Sequence, residues 1–232
     1  MKILVTGGNT FVPIDKVRGI TNIFRGRTAC DIATEAVSRG YTVTLIGNKG
    51  MDEHCLGDMT FRKFKTFEDL MASMQNEIST GGYDAVIHSA AVSDYKVVRV
   101  TTPPSDGHGG GEVKRDGKIS SSHSNLVLEL EPTLKIVDKI RSNWKFHGVL
   151  VKFKLQVDMQ DGELISIAQK SREASGADIM VANCLEWARE RAYILIRHEV
   201  LDIARSKLAS ALLDRVEQEH NHKLMRSGGL VQ

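Results

Sequence analysis

Lys2-Ile3-Leu4-Val5-Thr6-Gly7-Gly8 opens the chain with a short apolar run that ends in a glycine pair, the way a buried parallel strand enters a loop. Outward from it, Ala29, Ile32, Ala33, Ala36 and Val37 recur at helical spacing between Thr28 and Ser38, and Gly40 closes the helix. Tyr41 to Ile46 (YTVTLI) is rich in β-branched residues and reads as a second strand. Strand, helix and strand in immediate succession form a right-handed crossover unit.

The pattern repeats down the chain. Thr60–Phe64 and Tyr83–His88 read as strands around a helix whose apolar face is Phe67, Leu70, Met71, Met74 and Ile78. Pro132–Ile140 suits a helix with proline in its first turn. Gly148–Leu155, Asp178–Ala182 and Ala192–Ile196 read as strands, and Leu164–Ala174 and Ile203–Val216 as helices. The alternation predicts an α/β, Rossmann-like fold with a mainly parallel sheet of six or seven strands and helices on both faces. One stretch breaks the rhythm. Thr101–Gly117 (TTPPSDGHGGGEVKRDG) carries Pro-Pro and Gly-Gly-Gly and reads as a mobile loop. It follows Ala90-Ala91-Val92-Ser93-Asp94-Tyr95 at the carboxyl end of a central strand, the edge where open α/β sheets bind ligands. A lid and an insertion without a role both fit it. Residues 1–220 are expected to form a single domain, 95–118 a flap or dimerisation arm, and 221–232 a frayed, disordered tail.

Composition narrows the class. The 232 residues hold 31 basic and 29 acidic side chains, a net charge of +2 that is too balanced for nucleic-acid binding by bulk charge. No apolar run approaches the ~20 residues that span a bilayer, and the first apolar run is too short for a signal peptide. Cys30, Cys55 and Cys184 show no CxxC spacing and read as free thiols in a reducing, cytoplasmic compartment. His88, on an apolar strand, reads as a hydrogen-bonded core histidine, and the spread of His198, His220 and His222 does not make a metal site.

The glycine turn Thr6-Gly7-Gly8-Asn9-Thr10 lets backbone N–H groups approach a phosphate or carboxylate. TGGNTFV is similar to the first turn of extended short-chain reductases, which leaves an NAD(P)-dependent reductase as one alternative. Pro13 stands where their last glycine would be, however, and none of Tyr41, Tyr83, Tyr95 and Tyr193 has Lys four residues on. A second set of motifs is more specific: Pro13-Ile14-Asp15-Lys16-Val17-Arg18-Gly19-Ile20-Thr21-Asn22, a loop closing on Gly26, AAVSDY at 90–95, KISS at 118–121, FKL at 153–155 and DIMVAN at 178–183. In this order and spacing the chain resembles the phosphopantothenate–cysteine ligase family, in a stand-alone form without the decarboxylase domain fused to many bacterial relatives.

That resemblance implies a ligase of coenzyme A biosynthesis. The carboxylate of 4′-phosphopantothenate attacks the α-phosphorus of CTP or ATP, pyrophosphate leaves, and the cysteine amine displaces the nucleotide from the acyl-nucleotidyl intermediate. Carried over by motif, Lys118 would neutralise the α-phosphoryl charge and Asn22 would hold the intermediate. Arg18, one helical turn before Asn22, would support it. Gly7, Gly8 and Gly26 would cradle phosphates, and Ala90, Ala91 and Asp94 would line the cleft. Phe153 and Asn183 would contact the base, and Lys170 would reach the triphosphate. Mg²⁺ would bridge phosphate oxygens without a protein-side-chain site. The family also implies a homodimer, paired through the strands that flank 95–118, with Val97, Val98 and Val100 as a pairing strand; no nucleic-acid or membrane partner is implied. A non-catalytic nucleotide- or flavin-binding relative is the remaining alternative. Four positions depart from the family pattern. Asn9-Thr10-Phe11-Val12 adds a residue between Gly8 and Pro13, Phe24-Arg25 replaces a small hydroxyl pair, and Ala29 and Ala174 replace a glycine and a second phosphate lysine.

Overall fold

A computed structural model describes residues 1–51, 54–104 and 110–228. In chain order the elements are β1 (Lys2–Thr6), β2 (Phe11–Pro13), β3 (Gly19–Thr21), α1 (Arg27–Ser38), β4 (Thr42–Gly47), β5 (Thr60–Lys63), α2 (Phe67–Thr80), β6 (Ala85–His88), β7 (Tyr95–Thr101) and β8 (Val127–Pro132). There follow α3 (Ile136–Ser142), β9 (Val149–Gln156), α4 (Asp161–Ser175), β10 (Ile179–Cys184), β11 (Arg191–Ile196), β12 (Glu199–Ala204), a single 3-10 turn at Arg205–Lys207, and α5 (Leu208–Gly228).

The main sheet runs β12-β11-β10-β9-β6-β1-β4-β5. From β10 to β5 every neighbour is parallel, and β11 and β12 add an antiparallel edge. The period of two in each strand sorts side chains to two layers. Ile3 and Val5 of β1, Ile87 of β6, Val151 of β9 and Val181 of β10 pack with Ile32 of α1 and Leu212 and Val216 of α5. The alternate residues Leu4, Val86 and Leu150 pack with Leu70 and Met74 of α2 and Ile136 and Ile140 of α3. Met180 and Ala182 meet Leu164 and Ala168 of α4 on that second face. The mainly parallel sheet covered on both faces is therefore the architecture expected from the alternation.

Local chemistry sets the helix ends. Thr66 and Asp69 form a reciprocal capping box that starts α2, satisfying two N–H groups that a helix end leaves over. At the end of α4, Gly176 adopts φ 63°, a left-handed stop that costs glycine little.

Several expectations are corrected. The sheet has eight strands rather than six or seven, because Glu199–Ala204 pairs antiparallel with β11. That edge strand is mostly exposed, so its apolar content is too thin to announce it. It also claims Ile203, placed opposite Ala192, and the helix expected from Ile203 starts at Leu208. Pro132 does not open a helix. It ends β8 opposite Tyr95, a place where proline's missing N–H is tolerated, and α3 begins at Ile136. The tail expected to fray after His220 is helical to Gly228, and residues 229–232 lie outside the described residues. Cys30 and Cys55 are joined in a disulfide, with Cα atoms 5.0 Å apart; Cys184 is free and buried. Twenty-five residues separate the pair, so no short motif signals it, and the thiol argument for a reducing compartment falls away. Among the described residues no helix is long and apolar enough to cross a membrane.

The flap is partly built. β7 and β8 form a separate two-stranded ribbon. Residues 110–117 fold back on it through a bridge between Thr101 and Glu112 and a bond from the Val113 N–H to the Val100 carbonyl of 2.8 Å. Residues 105–109 of the expected mobile loop lie outside the described residues. Val97 and Val100 are buried against Val12 and Ile119, which removes them from the pairing face expected of 97–100.

Candidate functional site

The carboxyl ends of β1, β6, β9 and β10 share one edge of the sheet, and the turns that leave them build the site. After β1, Gly8 takes φ 81° and Gly26, just before α1, takes φ 83°. A Cβ on Gly26 would lie 2.6 Å from the Gly8 nitrogen, closer than atoms approach, so the two turns meet only because position 26 is glycine. A Cβ on Gly7 would lie 2.2 Å from that of Ala29. The N-terminus of α1 has no side-chain cap, in keeping with the loss of the hydroxyl pair at Phe24-Arg25.

Three asparagines bracket this cradle. Asn48, just past β4, accepts from the Asn9 N–H at 2.5 Å and donates Nδ2 to the Asn9 carbonyl at 2.7 Å. Asn9 donates its own Nδ2 to the Asn22 carbonyl at 2.6 Å. Asn22 donates Nδ2 to the Ala91 carbonyl at 3.0 Å. The turn after β6 is held on the same axis: the Ala91 N–H donates to Gly8 O at 2.8 Å, and the Thr10 N–H to Ala91 O at 3.2 Å. Below it, Thr6 Oγ1 meets His88 Nδ1 at 2.8 Å and accepts from the Ala90 N–H at 3.3 Å. His88 is buried, and burial with the nearby Lys152 ammonium holds its pKa down at about 4. It is neutral at ordinary pH and acts as a fixed hydrogen-bond partner, as the sequence reading expected.

The β2–β3 hairpin carries a second cluster at its tip. The Asp15 side chain is fully buried and accepts from the N–H groups of Val17 (2.8 Å), Arg18 (2.7 Å) and Ile119 (3.0 Å) and from Arg18 Nε (3.0 Å) and Nη2 (2.6 Å). Hydrogen bonding, led by the Arg18 guanidinium, holds its carboxyl well below the usual range. Arg18 Nη2 also donates to the Ile119 carbonyl at 2.8 Å, and the Lys16 N–H to Gly117 O at 3.2 Å. Arg115 fastens the base of the flap to the carbonyls of Pro13 (2.6 Å), Ile14 (2.8 Å) and Val97 (2.9 Å). Arg18 is thus the ion-pair partner of Asp15, and its second contact clamps the irregular segment that presents Lys118. The residues between Arg18 and Asn22 are β3, not a helical turn. At ~3.3 Å per residue an extended segment separates them by more than ~10 Å, so Arg18 does not support Asn22 directly.

Of the residues singled out in the sequence, Gly7, Gly8, Gly26, Asn22, Ala90 and Ala91 come together at this edge. Asn183, next to last in β10, sits beside Leu155 of β9, and Phe153 sits beside Val181. Alternation puts Phe153, Val181 and Asn183 on the α1 and α5 face, where Phe153 packs at the margin of the core. Asp94 is exposed at the start of β7, its carbonyl accepting from the Thr133 N–H at 2.8 Å. Lys118 is exposed and held at the hairpin tip, while Asn22 is at the hairpin base, so within one chain the two are apart. Lys170 is exposed on the opposite face of the sheet, in the third turn of α4. Its neighbour Ser171 accepts from Lys152 Nζ at 3.1 Å, and α4 packs on the face away from α1, so Lys170 is separated from the glycine cradle by the sheet. Sequence reasoning missed Asn48 and Asn9. Asn9 had one signal, being part of the residue added between Gly8 and Pro13, whereas Asn48 had none beyond following a strand.

The geometry has known counterparts. The family model of the DNA/pantothenate metabolism flavoprotein C-terminal domain matches residues 1–219. The coenzyme A biosynthesis bifunctional protein CoaBC of Thermococcus kodakarensis is 34% identical over 224 residues, covering 94% of this chain and 51% of that protein. The protein of the same name from Methanocaldococcus jannaschii is 25% identical over 224 residues, covering 94% and 50%. The chain spans about half the length of these curated relatives. Among solved structures, the DNA/pantothenate metabolism flavoprotein from Streptococcus pneumoniae superposes with a TM-score of 0.80 at 32% identity, covering 95% of this chain and 100% of that one. A Cab2 H337A complex with phosphopantothenate-cysteine shares the fold, with a TM-score of 0.74 at 14% identity over 98% of this chain and 88% of that one.

Proposed function

The chain belongs to the DNA/pantothenate metabolism flavoprotein C-terminal domain family, and from that premise we propose that it joins cysteine to 4′-phosphopantothenate with a nucleoside triphosphate. One observation carries the reading most directly. The Gly8 and Gly26 turns, the Asn22 amide bonded to Ala91, and the Phe153–Asn183 pair all lie along the carboxyl edge of one sheet. On this reading the glycine turns offer a backbone cradle for phosphates and the Phe153–Asn183 pair a platform for a base.

The chemistry asks for this arrangement. A carboxylate oxygen attacks the α-phosphorus, the bond to the bridging oxygen breaks, and pyrophosphate carries away the electron pair. An anion meeting a polyanion needs N–H donors and fixed positive charge. In the second step the cysteine nitrogen attacks the acyl carbon, the nucleoside monophosphate leaves, and the amine loses a proton. Asn22, fixed through its carbonyl and its amide, presents its remaining polar groups to the acyl intermediate, and Lys118 supplies charge from the flap. Lys118 is held far from the Asn22 of its own chain, which fits a homodimer in which the flap works close to the interface. Tyr95, Val127 and Leu130, exposed on the β7–β8 ribbon, supply an apolar surface for that pairing. Among the described residues no group of His, Cys, Asp and Glu side chains is arranged to hold a metal ion. Mg²⁺ enters the proposal only as a partner of phosphate oxygens. A cytoplasmic setting belongs to the same proposal.

The test is pyrophosphate release with CTP and ATP in parallel, in the presence of phosphopantothenate and cysteine. Release that needs phosphopantothenate, and product that needs cysteine, support the reading. Nucleotide binding with no pyrophosphate formed under any combination removes it.

A further inference from the structure

Two of the arginines that fasten helices in this protein have every side of the guanidinium occupied. Arg39 donates to Glu35, Asp214 and Glu217 and to the Ser210 carbonyl, and Arg141 to Asp178 and the carbonyls of Phe146, Gly148 and Gly176. Arg205, in the turn between β12 and α5, is partly buried, yet its guanidinium has a single partner, the hydroxyl of Thr28 in the first turn of α1. A guanidinium carries five N–H donors. Asp31 attracts it and Arg27 repels it, but among the described residues no ion pair joins it to a carboxylate. The unused donors border a cavity of about 250 Å³ lined by Thr28, Asp31, Ile32, Arg205, Ser206 and Leu208. Pockets for whole drug-sized ligands begin near ~300 Å³, so this one suits part of a ligand.

Its place in the fold says which part. Packing against the same core, α1 and α5 cover the sheet face that carries Phe153 and Asn183. β12 runs parallel to β10, so Arg205 leaves the sheet at its carboxyl edge, level with the glycine cradle. We propose that Arg205, with Thr28 and Arg27, receives the terminal phosphates of the nucleoside triphosphate and holds them as pyrophosphate leaves. This rests on the ligase reading and extends it to residues the motifs do not include. The site stands where the chain lacks other phosphate groups: the hydroxyl pair before Gly26 is absent, position 174 is alanine, and Lys170 lies on the other face. A planar guanidinium fork suits phosphate oxygens in a way a lone ammonium does not.

Titration calorimetry on the full chain tests it, with inorganic pyrophosphate, CTP and CMP as probes and Arg205→Gln beside the wild type. Affinity for pyrophosphate and CTP is expected to fall about tenfold or more, the scale of a lost charge-assisted bond, while CMP binding changes by less than about twofold. Arg205→Lys, which keeps the charge and loses the fork, is expected to fall in between and serves if the glutamine variant does not fold. Equal pyrophosphate affinity in wild type and variant overturns the proposal, and so does a wild type that binds no pyrophosphate. Product formation separates the two ideas. Normal product with an unaffected Arg205→Gln ends this inference alone. No product, with pyrophosphate binding that is lost in Arg205→Gln, ends the ligase reading and leaves the anion site standing.

Discussion

Asn48 pairs with Asn9 as a strand would: its side-chain oxygen takes the Asn9 N–H at 2.5 Å and its amide meets the Asn9 carbonyl at 2.7 Å. Asn9 in turn holds the Asn22 carbonyl, so a side chain from the turn after β4 sets the position of the candidate catalytic amide. Truncating Asn48 to Ala leaves both backbone groups of Asn9 short of a partner. Turnover is expected to fall ~10- to 10²-fold, the cost of displacing a reacting group by about an ångström, with a stability loss of about 1–3 kcal/mol. Steady-state kinetics beside a urea melt checks this, and an Asn48→Ala variant with unchanged kcat refutes it.

Lys118 and Asn22 are expected to fail in different ways. If Lys118 neutralises charge that develops at the α-phosphorus, Lys118→Gln lowers turnover by at least ~10²-fold with much less change in substrate binding. Asn22→Asp loses the donor to Ala91 and places a carboxylate beside the acyl-nucleotide. Pyrophosphate release then continues while product formation falls and the intermediate accumulates, which rapid-quench analysis would detect. Full turnover in both variants would remove these residues from the mechanism.

Asp15 acts through the flap. Its carboxylate gathers the β2–β3 tip and the Ile119 N–H, so Asp15→Asn is expected to loosen residues 115–119. Hydrogen exchange at the Ile119 amide is the direct measurement, with a stability loss of about 0.5–3 kcal/mol. Exchange no faster than in the wild type would count against the clamp.

His88 sets a pH dependence. Its folded pKa is about 4, below the ~6.5 of an unfolded histidine, so the unfolded chain takes up more protons between these values. Stability is complete above pH ~6.5 and is lost as pH falls toward ~4, by up to about 3 kcal/mol. Asp15, whose carboxyl is also held down, adds a further loss at lower pH. Denaturant titrations from pH 7 to 4.5 are expected to lose this slope in His88→Gln; an identical slope in the variant would assign it elsewhere.

The Cys30–Cys55 bond closes a loop between α1 and the segment after β4. Reduction, or Cys55→Ala, is expected to lower stability by about 3 kcal/mol on the loop-entropy scale. Thiol titration of the chain unfolded without reductant should find one free cysteine, Cys184, and three after reduction. Three titratable thiols in the untreated unfolded chain would show the bond absent.

Periodicity by itself determined the layers of this protein. Ile3 and Val5 against Leu4, and Ala29, Ile32, Ala33 and Ala36 at helical spacing, name their own faces, because burial repeats every two residues in a strand and every 3.6 in a helix. The glycine turn and the ordered motifs likewise pointed Gly7, Asn22 and Ala90 to one edge, since each lies on a strand's exit or in the loop that adjoins it. Weak signals hid the rest. The exposed β12 carries too little apolar pattern to be seen, and Pro132 reads as a helix start until Tyr95 is opposite it. Only the tertiary structure decided that Asn48 reaches Asn9, that Cys30 finds Cys55 and that Arg205 meets Thr28. Those partners lie 39, 25 and 177 residues apart. No local spacing encodes such meetings, because they arise where separate turns converge after the sheet has ordered its strands.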